Sequence, residues 1–204
     1  EDVSSAPYFP AKERTAEYRE GLFVGYRYFQ SANVPVLFPF GFGLSYTSFE
    51  YSDLTVTDKE ATFTLKNTGS MDGAEVAQLY VSKPDGEVFR PARELKGFAK
   101  VFLKAGESKK VTIPLDDKAF RYFNVDTNKF EVEGGEYQIL IGASCADIKL
   151  SGAVSVQGTG AKSPYNKEKF AKYFSGDIKS ISDAEFEALL GLSLIHISEP
   201  TRPY

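Results

Sequence analysis

Short runs of alternating apolar and polar residues, each closed by a turn signal, constrain this chain more than any other feature. Residues 61–66 put Phe63 and Leu65 on one face and Thr62 and Thr64 on the other, the period-2 signature of a half-buried strand. Residues 109–115 repeat the device with Val111, Ile113 and Leu115, and residues 136–141 with Tyr137, Ile139 and Ile141. Residues 75–81 form a more continuous apolar run, with Val76, Ala77, Leu79, Tyr80 and Val81. Between the runs stand Asn67-Thr68-Gly69, Met71-Asp72-Gly73, Pro84-Asp85-Gly86, Ala105-Gly106-Glu107 and Gly134-Gly135, whose Gly, Asn and Asp favour tight turns. About seven short strands at such intervals in roughly 100 residues predict an immunoglobulin-like antiparallel sandwich over 50–157. Phe63, Leu65, Val76 or Leu79, Val111, Ile113, Tyr137 and Ile139 are its expected core. No long helical period interrupts the runs, which argues against a parallel α/β sheet.

The composition agrees. Hydrophobic residues make up 42% of the 204 and aromatics 14%, all of them Tyr or Phe, so there is enough apolar side chain for a core and a lean toward β. A net charge of -4 and scattered Lys and Arg leave no electrostatic footprint for nucleic acid. No apolar run approaches the length needed to cross a membrane as a helix. The chain starts at Glu1 and not Met, so the lack of a leader pattern leaves export open.

Three further regions flank the strands. Residues 1–49 are rich in Gly and aromatics, with seven aromatics between Phe23 and Phe42, and the Gly and Pro density denies them a long regular element. So irregular and apolar a stretch is expected to be the remnant of an upstream domain and its junction with the sandwich. Residues 158–191 open with a Gly158-Thr159-Gly160-Ala161 linker. Two short helices are expected after it. In the first, Phe170, Tyr173 and Phe174 share a face and Asn166 is the cap. The second starts at Ser182, with Glu185 completing a capping box, carries Phe186, Leu189 and Leu190 as a stripe, and stops at Gly191. Helices this short are marginal alone and should dock on another surface. Residues 192–204 are expected not to be a product of the gene. Leu192-Ser193-Leu194-Ile195-His196-Ile197-Ser198-Glu199-Pro200-Thr201-Arg202 reads as the translation of a sequencing adapter, so the natural chain should break off near Gly191 and this segment should make no packed contacts.

Candidate chemistry is sparse. With His196 set aside as part of that segment, no Ser-His or Cys-His nucleophile pair and no zinc ligand cluster can be assembled. The one cysteine, Cys145, is read as a small buried hydrophobe. Gly41-Phe42-Gly43 lacks the third glycine and the βαβ setting of a dinucleotide fingerprint. Asp116 and Asp117 are strand neighbours pointing to opposite faces and read as a solvated turn. Glu131 and Glu133 share a face without an implied cleft, and Asp183 and Glu185 are accounted for by helix capping. Tyr stripes are read as sheet packing before sugar stacking. Catalytic, cofactor-binding and metal-binding residues are therefore all expected to be none.

The order of phrases carries a resemblance. Glu20-Gly21-Leu22-Phe23-Val24-Gly25-Tyr26-Arg27-Tyr28-Phe29 is followed by Phe38-Pro39-Phe40-Gly41-Phe42-Gly43-Leu44-Ser45-Tyr46-Thr47-Ser48-Phe49. Then come Lys66-Asn67-Thr68-Gly69, Glu75-Val76-Ala77-Gln78-Leu79-Tyr80-Val81, Arg90-Pro91-Ala92-Arg93-Glu94-Leu95-Lys96-Gly97-Phe98 and Gly135-Glu136-Tyr137. Over about residues 18–148 this resembles the C-terminal signature of family 3 glycoside hydrolases, where an α/β-sandwich domain passes into a fibronectin type III-like domain. The ending Phe186-Glu187-Ala188-Leu189-Leu190-Gly191 is similar to an extension in many clostridial members, which implies a bacterial source. The resemblance implies a parent β-glucosidase that removes terminal non-reducing β-D-glucosyl residues by a retaining mechanism, with a β-glucoside or oligosaccharide as substrate. A β-xylosidase or another exo-acting glycosidase is the alternative within the class. A free-standing fibronectin-like or carbohydrate-binding module is the alternative outside it. The resemblance implies an aspartate nucleophile from a barrel-type domain and a glutamate acid/base from the α/β sandwich; no position here matches either motif, so no catalytic residue is carried over and the chain alone is expected to be inactive.

Overall fold

The computed structural model describes residues 3–10, 16–191 and Leu194. These fall into two compact units. One takes the described residues of Val36–Gly86 and Ala92–Pro164; the other takes those of Glu1–Pro35, Glu87–Pro91 and Tyr165–Tyr204.

The first unit is the expected antiparallel sandwich. Its strands are β1 (Phe49–Val56), β2 (Glu60–Asn67), β3 (Gly73–Ser82), β4 (Glu94–Leu103), β5 (Ser108–Pro114), β6 (Arg121–Asn124), β7 (Lys129–Val132), β8 (Gly135–Gly142) and β9 (Ile148–Val156). One sheet has the order β1-β2-β5 and the other β4-β3-β8-β9, while β6 and β7 form a separate hairpin. At the edges β1 lies alongside β9 and β4 alongside β5. Alternation decides what lies between the sheets. Ala61 pairs with Ile113 and Phe63 with Val111 across β2 and β5, and all four are buried. From the other sheet, Leu79 pairs with Ile141 and Val81 with Ile139, again all buried. Tyr51 stacks on Phe63 at 5.9 Å and Phe120 meets Tyr137 edge-on at 4.9 Å. Each such side chain contributes roughly 1.5–3 kcal/mol by leaving water.

Within β3 the choice between Val76 and Leu79 is resolved by parity. Ala77, Leu79 and Val81 face inward with no more than 7% of their surface exposed, whereas Val76 lies on the outer face and is 37% exposed. In β1 the register shifts between Ser52 and Thr55, and Asp53 sits at φ 57°. Asp tolerates that left-handed conformation better than most residues, so it can sit at a bulge. The Asn67 turn is tied down internally. Its side-chain amide donates to the Met71 and Leu103 carbonyls, and its oxygen accepts from the Thr47 hydroxyl and the Gly69 N–H.

The second unit has its own core, built from three separated pieces of chain. It contains α1 (Tyr26–Ser31), α2 (Ala171–Ser175) and α3 (Asp183–Leu190), with 3-10 turns at Ala6–Tyr8 and Ile178–Ser180. Phe23 and Tyr28 from the first piece, Phe89 from the second, and Phe170, Tyr173, Ile178, Ile181 and Phe186 from the third are buried together. The surface on which the C-terminal helices dock is thus the N-terminal stretch. Phe89 is ringed by Tyr165, Tyr173 and Phe174 at 4.5, 5.1 and 5.9 Å.

The helix signals hold with three differences. Asn166 caps a turn just before α2, accepting from the Glu168 and Lys169 N–H groups, while α2 itself begins after Phe170. Ser182 caps α3 by accepting from Glu185 N–H at 3.2 Å, and Gly191 closes it at φ 69°. The return half of the capping box is diverted, because the Glu185 carboxylate accepts from Lys172 N–H instead. The stripe is also narrower than expected: Leu189 packs on the core, but Leu190 is 42% exposed. Of residues 192–204 only Leu194 is described, and it corrects the expectation of no packed contacts. Its N–H donates to Glu187 Oε1 at 2.8 Å and its side chain packs on the second core. His196 and the rest of that segment lie outside the described residues.

Candidate functional site

The sandwich carries its most built feature on the outer face of β3. A strand in a half-solvated sheet should bury every second residue. Here Gln78 and Tyr80 of the outer face are buried as well as Ala77, Leu79 and Val81 of the inner one. The cover is the segment before β1. The Gln78 amide donates to the Gly41 carbonyl at 3.1 Å and to the Ala143 carbonyl at 2.8 Å, and its oxygen accepts from the Tyr80 hydroxyl at 2.5 Å. Cys145 N–H donates to the Phe40 carbonyl at 2.9 Å, and the Arg93 guanidinium donates to the Cys145 carbonyl at 2.7 Å. Burial pushes the Cys145 thiol above its ordinary pKa, as expected of a packing cysteine.

Gly41 is required here. It sits at φ 81°, and a Cβ would lie 2.1 Å from Gln78 Oε1. The turn therefore brings the Gly41 carbonyl onto the Gln78 amide. Phe40 and Phe42 are 46% and 48% exposed, and with Leu44, Val76, Leu95 and Phe98 they line a groove of about 460 Å³. Polar groups on the groove are few. Glu75 accepts from the Tyr51 hydroxyl at 2.8 Å, and burial, then the Glu75 carboxylate, hold that phenol well above its usual pKa as a permanent donor. Such a surface suits apolar packing far better than proton transfer.

The carboxylates singled out in the sequence are scattered. Asp116 accepts from Lys118 N–H in the turn after β5, and Asp117 pairs with Arg121. Glu131 accepts from the Thr127 hydroxyl, and the Thr159 and Thr127 hydroxyls lower its pKa. Asp183 pairs with Arg19, and Glu185 is held by Lys172 N–H. Among the described residues no group of three His, Cys, Asp or Glu is placed to hold a metal ion, and no helix is long and apolar enough to cross a membrane. Sequence reasoning missed Gln78. The one available signal was a polar residue inside an otherwise continuous apolar run.

Known proteins match this architecture. Residues 75–145 match the model of the fibronectin type III-like domain. The chain is 49% identical over 159 residues to thermostable beta-glucosidase B of Acetivibrio thermocellus, covering 74% of this chain and 21% of that protein. It is 44% identical over 168 residues to an exo-alpha-(1->6)-L-arabinopyranosidase of Bifidobacterium breve, covering 80% of this chain and 22% of that one. Among solved structures, the GH3 beta-glucosidase of Bifidobacterium adolescentis superposes with a TM-score of 0.74 at 42% identity, over 81% of this chain and 25% of that one. The chain spans about a fifth to a quarter of the length of these relatives. It belongs to glycoside hydrolase family 3, as the part that carries the fibronectin type III-like domain.

Proposed function

We propose that this chain is the C-terminal structural portion of a β-glucosidase that removes terminal non-reducing β-D-glucosyl residues with retention. The observation that carries the reading is the 49% identity to a thermostable beta-glucosidase over three quarters of the chain. Retention needs a carboxylate nucleophile and a carboxylic acid about 5–5.5 Å apart. Both would come from the remaining length of the parent, since the relatives are four to five times as long as the matched region. The part of the sandwich unit would be to anchor. Residues 38–49 weld the preceding domain to it, with the exposed Phe40 and Phe42 as the apolar contact and the Gln78–Gly41 bond as the fixed point on this side.

The test has two arms. The purified chain should release no aryl group from an aryl β-D-glucopyranoside above buffer; turnover lost with one of its own Asp or Glu residues would refute the anchoring role. The full-length parent should prefer that substrate over the matching β-D-xyloside and α-L-arabinopyranoside. The second of these is included because an arabinopyranosidase is 44% identical over a similar span. Preference for either would move the parent to another exo-acting specificity without changing the role of this chain.

A further inference from the structure

We infer that residues 165–191 are a clasp, folding against the N-terminal stretch around 19–31 and the Phe89 segment and in turn holding that stretch in place. The two pieces are about 150 residues apart in sequence, yet one buried guanidinium joins them. Arg19 donates to Glu17 at 2.6 Å, to the Ile181 carbonyl at 3.2 Å, and pairs with Asp183 at 2.6 Å. Its carbon lies 5.1 Å from the ring centres of both Tyr8 and Phe186, so the cation is sandwiched between an aromatic from each end of the chain. The backbone bonds are reciprocal. The Tyr173 hydroxyl donates to the Arg19 carbonyl at 2.8 Å, and the Tyr8 hydroxyl donates to the Ile178 carbonyl and accepts from Ile181 N–H. Gly176, at φ 75°, sits so close to α1 that a Cβ would lie 3.0 Å from the Ser31 carbonyl oxygen.

Neither piece can manage alone. Helices α2 and α3 have five and eight residues, below the length at which isolated helices persist in water. Phe23 and Tyr28 have as their buried neighbours Phe89 and the aromatics of 170–186. The Asp183 carboxylate is largely exposed, so the ion pair itself contributes little and the packing and buried hydrogen bonds carry the clasp. The clasp thus fixes the chain that enters the sandwich with the chain that leaves it.

Hydrogen exchange on the full chain tests it, with substitutions confined to the C-terminal piece and the readout taken at the N-terminal one. Phe186→Ala should speed exchange of amides in 19–31 about tenfold or more, together with those in 170–190, while β2, β3 and β8 keep wild-type protection. Tyr173→Phe, which removes only the bond to the Arg19 carbonyl, should give a smaller rise in the same two places. If the C-terminal piece loosens and 19–31 does not, the extension is a passenger. If protection falls equally in the strands, there is one cooperative body and no clasp. Should Phe186→Ala unfold the whole chain, Tyr173→Phe decides by the same two criteria.

Discussion

Gln78 shows how much one polar side chain can organise when its partners are backbone. Its amide and oxygen, on a side chain that is itself buried, serve two carbonyls and a phenol at once. Gln78→Ala should cost about 1–3 kcal/mol, because the Tyr80 hydroxyl and the Gly41 and Ala143 carbonyls each lose a hydrogen bond to it. Gly41→Ala should cost a similar amount, about 1–3 kcal/mol, from a strained φ and a clash with the same amide. Urea unfolding of the two variants checks both, and a loss under 0.5 kcal/mol in either would mean that the turn relaxes without penalty (the size of an ordinary surface substitution, about 0.5 kcal/mol). Because both changes act through one contact, the double variant should lose less than the sum. Gly41 was legible in the sequence as a glycine between aromatics that allows a positive φ and close backbone approach, and the structure gives it both; Gln78 did not stand out. Gln78 read as one polar position among apolar ones, and nothing local says that Gly41, 37 residues away, will meet it.

At the scale of elements, alternation gave the strands and their inward faces, and the contrast within β3 makes that checkable. Leu79→Ala should cost about 2–5 kcal/mol, as for any leucine truncated in a tight core. Val76→Ala, one face over, should stay within about 0.5 kcal/mol. Equal losses at the two sites, measured by the same denaturation, would mean that the register of β3 is wrong. For α3 the cap is the sharpest test: Ser182→Ala should cost about 1 kcal/mol, seen as loss of protection in 183–190. The capping-box motif predicted the start of this helix correctly but not the partner of Glu185. A carboxylate at the third position can reach back to its own cap or across to a neighbouring segment, and Lys172 N–H was brought within range only by the fold. Leu190 fell outside the packed stripe for a related reason. A helix of eight residues presents too few turns to bury a wide face against so small a core.

For the whole molecule, the exposed Phe40, Phe42, Phe98 and Leu44 predict that the chain alone self-associates at concentrations where a polar sandwich would not, which light scattering would reveal. In the full-length parent, Phe40→Ala should lower the melting temperature and leave KM nearly unchanged. A large rise in KM at unchanged stability would put this aromatic on the substrate path instead. By itself the sequence determined the antiparallel sandwich, its core alternation, its turns and the family it resembles. The sandwich, its alternation and its turns depend on neighbours two to four residues apart, and the resemblance on the order of phrases along the chain, both of which a linear reading sees directly. Only the tertiary structure decided that Gln78 holds the Gly41 turn, that the two chain ends share a second core around Arg19, and that Leu194 packs against it. Those outcomes rest on contacts between segments tens to more than a hundred residues apart. Which apolar surfaces meet there is set by the summed shape of the assembled elements, and no local pattern encodes it.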